Sequence, residues 1–298
     1  MGDWAEGISR LWPREHGAWS LLLTPFVAAL VVTGRVNFYT FVVLAAALAV
    51  FLLREPLLVL ARQHWIWREE KPESTVARRW VALLLVLLAG LGALLARPWG
   101  LPLTAAMGAG STALTLGAVW MALRNRQRAV WFQTLSCGGL TLTALAAART
   151  VNAGFPAWSW ALWGLCWLQG IAGILVVHTR LDAIIARKTG RGEPGIGRAA
   201  WLATGLLGAL ALTLAARGSF LLAAAPVVAA LAHGWEMRTM NLETKLKVVG
   251  LRAMALSMTY ALRAAWALRQ TADAPPPRVF AAKRRKGLLR QHTPGDTE

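Results

Sequence analysis

Apolar windows of roughly 16 to 22 residues recur along this chain, and each is long enough to carry a helix across a hydrocarbon core. The charged residues are gathered between them. Lipid offers no partner to a bare N–H or C=O, so such windows must close every backbone bond within a helix. An all-α, polytopic transmembrane helix bundle follows. Composition agrees: with 56% hydrophobic and only 15% charged residues among 298, the chain has more apolar side chains than a soluble core of that size needs.

The windows fall at about 17–34, 38–53 with a continuation to 61, 80–96, 102–123, 130–148, 157–179, 200–216, 219–235 and 250–268, about nine spans. The links after the first, third, fifth and seventh carry one Arg each: Arg35, Arg97, Arg149 and Arg217. On the alternate side stand Arg10 and Arg14, then Arg54, Arg62, Arg68, Lys71, Arg78 and Arg79, then Arg124, Arg126 and Arg128. Arg180, Arg187, Lys188, Arg191 and Arg198 follow there, and last Arg238, Lys245, Lys247 and Arg252, twenty in all against four. The positive-inside rule therefore predicts a cytoplasmic N-terminus and cytoplasmic even links in a multi-pass membrane protein.

The formal net charge of +18 would suggest nucleic acid in a soluble protein. Here the basic residues lie between apolar runs, so membrane lipids with anionic head groups are the expected partners and nucleic acid is not. From Arg263 onward eight more basic residues break the alternation. Either "AMALSMTYAL", between Arg252 and Arg263, spans with its flanking arginines snorkelling, or it lies in the cytoplasmic interface; nine spans is the reading taken.

Three parts are expected: an interfacial amphipathic segment over 1–16, the bundle over 17–268, and a basic, Pro-rich, disordered tail over 269–298. In the first, Trp4, Ile8, Leu11 and Trp12 share a helical face that ends near Pro13. The start lacks the features of a cleaved secretory signal, so the first apolar run is expected to remain as a span. Cys137 and Cys166 sit inside apolar segments and read as small buried hydrophobes.

Carboxylates are few, and four stand at the basic ends of spans: Glu15, Glu55, Asp182 and Glu236. Each has an arginine close in sequence, so the expected pairs are Arg14 with Glu15, Arg54 with Glu55, Arg180 with Asp182, and Arg238 with Glu236. Arg54 and Glu55 follow only about 16 apolar residues and precede "PLLVLA", which places them below the membrane surface, where Pro56 kinks the helix. Gln169 lies mid-run, and the same span leaves the membrane through His178, Arg180 and Asp182. "LRNRQRAVWFQ" offers Arg124, Asn125, Arg126, Arg128 and Gln133, suited either to clamping a phosphate or to anchoring the helix ends. His16, His64 and His178 lack metal-ligand spacing, and no metal site is expected.

"PREHGAW", Pro13 to Trp19, at the mouth of the first span resembles the YwiC-like family of bacterial membrane proteins. "LREPLLVL", "RNRQRAVW", "HTRLDAIIARK" and "KVVGLRAMAL" extend that resemblance over roughly residues 11 to 268. It implies a membrane bundle without naming a reaction. A weaker similarity is to the UbiA-type prenyltransferase architecture, whose two motifs occupy the basic ends of the second and sixth helices. Glu55 and Asp182 stand there, and the links at about 62–79 and 183–199 are the longest of the core, as caps over a cavity. That superfamily holds Mg²⁺ and diphosphate with Asp-rich motifs; "LREPLL" and "TRLDAI" offer one carboxylate each, a poor Mg²⁺ cage.

The function expected is the binding or handling of an anionic amphiphile, phosphorylated or diphosphate-headed, at a cytoplasmic-side cavity. Its candidate residues are Arg14, Glu15, His16, Arg54, Glu55, Arg124, Arg128, Gln169, Arg180 and Asp182. No cofactor is expected, with Mg²⁺ needed only if the alternative, a UbiA-like prenyltransferase acting on a prenyl diphosphate, holds. A transporter or membrane assembly factor is the second alternative, with Pro56 and Pro226 as faint marks of broken helices.

Overall fold

The computed structural model describes residues 16–69, 72–190, 195–244 and 246–272. The amphipathic segment, Arg14, Glu15 and the tail beyond 272 lie outside the described residues, and His16 opens the first helix. Among the described residues every regular element is helical: α1 His16–Thr33, α2 Phe38–Arg62, α3 Glu73–Trp99, α4 Leu101–Leu123, α5 Val130–Thr141, α6 Thr143–Val151, α7 Ala157–Thr189, α8 Ile196–Ala216, α9 Phe220–Arg238 and α10 Leu246–Ala272. A π-helical turn, Gln63–Trp67, extends α2. Counting α5 and α6 as one interrupted segment, these match the nine apolar windows. Seven of them are long and apolar enough to cross a membrane, and Gly17–Thr33 is a shorter apolar helix. This is a multi-pass membrane bundle.

Hydrogen bonds at helix ends define two faces. On the sparsely charged one, Asn37 caps α2 through the Thr40 N–H and donates from Nδ2 to Thr150 O at 2.7 Å. There too Arg149 donates to Asn152 O and Pro98 O, and Arg269 to Val31 O. On the basic face, Gln133 at the start of α5 meets His178 near the end of α7 at 2.9 Å. The alternation read from the charges thus reappears as geometry.

The ninth run is a core helix. Tyr260, Ala261, Ala264, Ala265 and Leu268 repeat at helical spacing and are buried, the alanines letting α10 approach α1 closely. Ser257 to Ala261 lie with Ser20 to Pro25 of α1, while Arg269 reaches its far end at Val31, so the two helices run parallel. The 27 residues of α10 span about 40 Å, so a membrane crossed by α1 is crossed by α10 as well.

Two expectations need correction. The supposed long links at 62–79 and 183–199 are mostly helix: α2 and its π turn continue to Trp67, α3 starts at Glu73, α7 runs to Thr189 and α8 starts at Ile196. Polar, helix-forming residues continued the backbone ladder past the apolar window instead of ending it. Pro56 and Pro226 sit inside continuous helices, whereas the interruption falls at Leu142, between α5 and α6. Thr143 Oγ1 donates there to Leu22 O at 2.7 Å. Pro25 deprives the preceding turn of α1 of one backbone donor, so Thr143 steadies a weakened stretch.

The α5–α7 contact fixes the depth of Gln169. Trp163 Nε1 donates to Gly138 O at 3.1 Å and Trp167 Nε1 to Thr134 O at 2.9 Å. Beside them Gly170 is backbone only because a Cβ there would come to 2.3 Å from Cys137 Sγ.

Candidate functional site

The candidate residues divide among several places. Arg54 and Glu55 form the expected pair, Nη1 to Oε1 at 3.9 Å, with side chains only 18% and 24% exposed. Arg124 and Arg128 are exposed beyond the end of α4, Arg124 lying 4.3 Å from the Trp120 ring centroid in a cation–π contact. Asp182 is half-buried on α7. Two expected pairs do not form: Arg238 lies 6.0 Å over Trp201 rather than on Glu236, and Arg180 turns from Asp182 to the link between α9 and α10.

That turn builds a cavity. Arg180 Nη2 donates to Asn241 O and, at 3.1 Å, to Thr244 O, drawing the α9–α10 link against α7. Beneath it lies a space of about 250 Å³ between α7, α9 and α10, lined among others by Arg180, His233, Trp235, Glu236, Arg252 and Leu256. Of the sequence candidates among the described residues Arg180 alone belongs to this lining; Arg54, Glu55, Arg124, Arg128, Gln169 and Asp182 do not. Trp235 lines the space while 70% exposed, so the cavity opens at the surface of the bundle.

Arg180 is only 4% exposed, its Nε has no hydrogen-bond partner, and among the described residues no carboxylate stands at ion-pair distance. Two carbonyls share its charge without neutralising it. A buried cation in that state is costly, and an anion is the natural counterpart. His233 is 2% exposed, and neither ring nitrogen has a hydrogen-bond partner among the described residues. A neutral imidazole offers one donor and one acceptor, so the cavity wall presents both functions unused. His233→Leu is therefore expected to stabilise the lipid-free protein by about 1–3 kcal/mol, read as a higher unfolding temperature in detergent. A lower temperature would mean that the ring is bonded after all.

Gln169 lies about 16 Å deeper, eleven residues before Arg180 on α7. It accepts from Ser257 Oγ at 3.2 Å and borders a cleft of about 10 Å³ with Thr24, Thr141, Cys166 and Tyr260. Tyr260 is fully buried there with its hydroxyl unpartnered. His233 bridges the two levels: it packs by Gly173, one turn from Gln169.

Sequence reasoning missed His233, Tyr260 and the cavity role of Arg252. The signal for His233 was present, since it follows Pro226 and Ala229 on the buried face of α9 and Glu236 continues that face. Among the described residues no three His, Cys, Asp or Glu side chains group as metal ligands.

A family model described as "YwiC-like protein" matches residues 12–148, which include "PREHGAW" and run to the middle of α6. The resemblance read from that motif holds over this stretch; the cavity residues on α7, α9 and α10 lie beyond it. No curated protein and no solved structure matches the chain.

Proposed function

With residues 12–148 matching the YwiC-like family, we propose that this membrane protein binds the phosphate-bearing headgroup of a membrane amphiphile in the α7–α9–α10 cavity, on the cytoplasmic side. The observation that carries this reading is the buried guanidinium of Arg180 without a carboxylate partner. Arg252 adds a second cation to the same wall, and His233 a hydrogen-bond donor. Guanidinium forks match phosphate oxygens in pairs, and the buried Arg180 holds its charge where water screens it little. The volume, just below the ~300–1,000 Å³ of pockets for whole small molecules, suits a headgroup. Its chains stay in lipid past Trp235.

The experiment is retention of phospholipid by the purified full-length protein after detergent washing. Arg180→Met and Arg252→Ala should each weaken it, while Arg35→Ala, on the opposite face, should not. A wild-type protein that retains no phosphate-headed lipid would end this reading.

The cytoplasmic placement rests on the charge asymmetry and has its own test. Single cysteines at Arg126 and Ala153, both exposed and on opposite faces, give a clean contrast because Cys137 and Cys166 are buried. In intact cells a membrane-impermeant thiol reagent should label the cysteine at 153 and spare that at 126; the reverse labelling inverts the topology.

A further inference from the structure

The cavity holds a carboxylate as well as cations. Glu236, half-buried on α9, faces the same 250 Å³ as Arg180 and Arg252, yet among the described residues it forms no ion pair with either, nor with Arg238 two residues on. Were the occupant simply an anion, this carboxylate would repel it and weaken binding. Three charges of both signs held apart across one small space instead complement a ligand that itself carries both signs.

From this arrangement we infer that the headgroup bound here is zwitterionic: a phosphodiester placed at Arg180 and Arg252, with a primary ammonium placed at Glu236. The inference rests on the phosphate reading above and names its ligand class. A primary ammonium carries three N–H donors. Glu236 accepts one or two of them, and the neutral His233 ring supplies a further acceptor while its N–H remains for the phosphate. A quaternary ammonium donates none and is held by several Trp, Tyr or Phe faces; among the described lining residues Trp235 alone is of those types. The source is a lipid, an aminophospholipid, because Trp235 in the lining and Leu231 one turn before it on α9 are 70% and 68% exposed, which sets apolar side chains facing outward beside the opening.

The test uses full-length protein in detergent with phosphatidylethanolamine, phosphatidylglycerol and phosphatidylcholine of identical chains, the retained lipid being quantified by mass spectrometry. Wild type should retain phosphatidylethanolamine over both others. Glu236→Gln should lower that retention about tenfold, the size of one lost charge-assisted bond, and leave phosphatidylglycerol unchanged or stronger. The retained phosphatidylglycerol also reports that the variant is folded. Equal or better retention of phosphatidylglycerol by wild type, insensitive to Glu236→Gln, overturns the zwitterion and leaves the phosphate reading standing. Uniform loss of all three lipids in Glu236→Gln overturns the pairing of Glu236 with the ammonium. Retention of no phospholipid by wild type removes both readings. Soluble phosphoethanolamine should compete only weakly; competition as effective as the lipid's overturns the membrane source.

Discussion

Arg180→Met is expected to cut phospholipid retention by one to two powers of ten, the counterpart of about 1.5–3 kcal/mol for a charge-assisted contact to phosphate. Arg180 also clips the α9–α10 link through Asn241 and Thr244, so loss of binding alone would not separate a headgroup contact from a collapsed wall. Stability separates them. A buried cation without a counter-charge is tolerated at a cost, and an apolar side chain of similar length removes that cost; the lipid-free Arg180→Met protein should then unfold no earlier than wild type. If the clip were the whole role, the variant would unfold earlier, and its loss of lipid would follow from the collapsed wall. Arg180→Lys should fall between, keeping the charge and losing the planar fork.

Tyr260→Ala should destabilise the protein by about 3–5 kcal/mol, the largest structural effect expected of any single change here. The ring is fully buried beside the deeper cleft, with α1, α7 and α10 around it, and in lipid such packing is the main force between helices. Tyr260→Phe keeps the ring and removes an oxygen that has no partner among the described residues, so it should be neutral or stabilising. Thermal unfolding of the three proteins in one detergent decides it. A phenylalanine variant as weak as the alanine one would show that the hydroxyl is bonded, the cleft of about 10 Å³ being close to the space of one water.

Much of the site's frame was legible because lipid imposes a simple rule. Arg54 beside Glu55 was expected to pair, and does, the two half-buried heads meeting at 3.9 Å. Arg180 with Asp182 and Arg238 with Glu236 failed although only two residues apart. Two residues along a helix are about 200° around it, so the members of each pair face different neighbours, and the neighbour decides. Arg180 found loop carbonyls and Arg238 found Trp201. Gln169 was marked by its polarity in an apolar run, but its partner Ser257 lies 88 residues away on α10, a contact that helical periodicity does not encode.

By itself the sequence determined that the chain crosses a membrane as helices, how many windows it has, and how basic residues divide between the two faces, because hydrocarbon thickness and backbone hydrogen bonding act on each segment separately. Which polar groups meet was settled only in the tertiary structure. The buried His233, the cavity between α7, α9 and α10, the core position of α10 beside α1 and the break at Leu142 all follow from which helix faces pack together. That choice rests on small residues and close-range contacts between distant stretches, and every helix carries the same apolar pattern toward lipid whichever neighbour it takes.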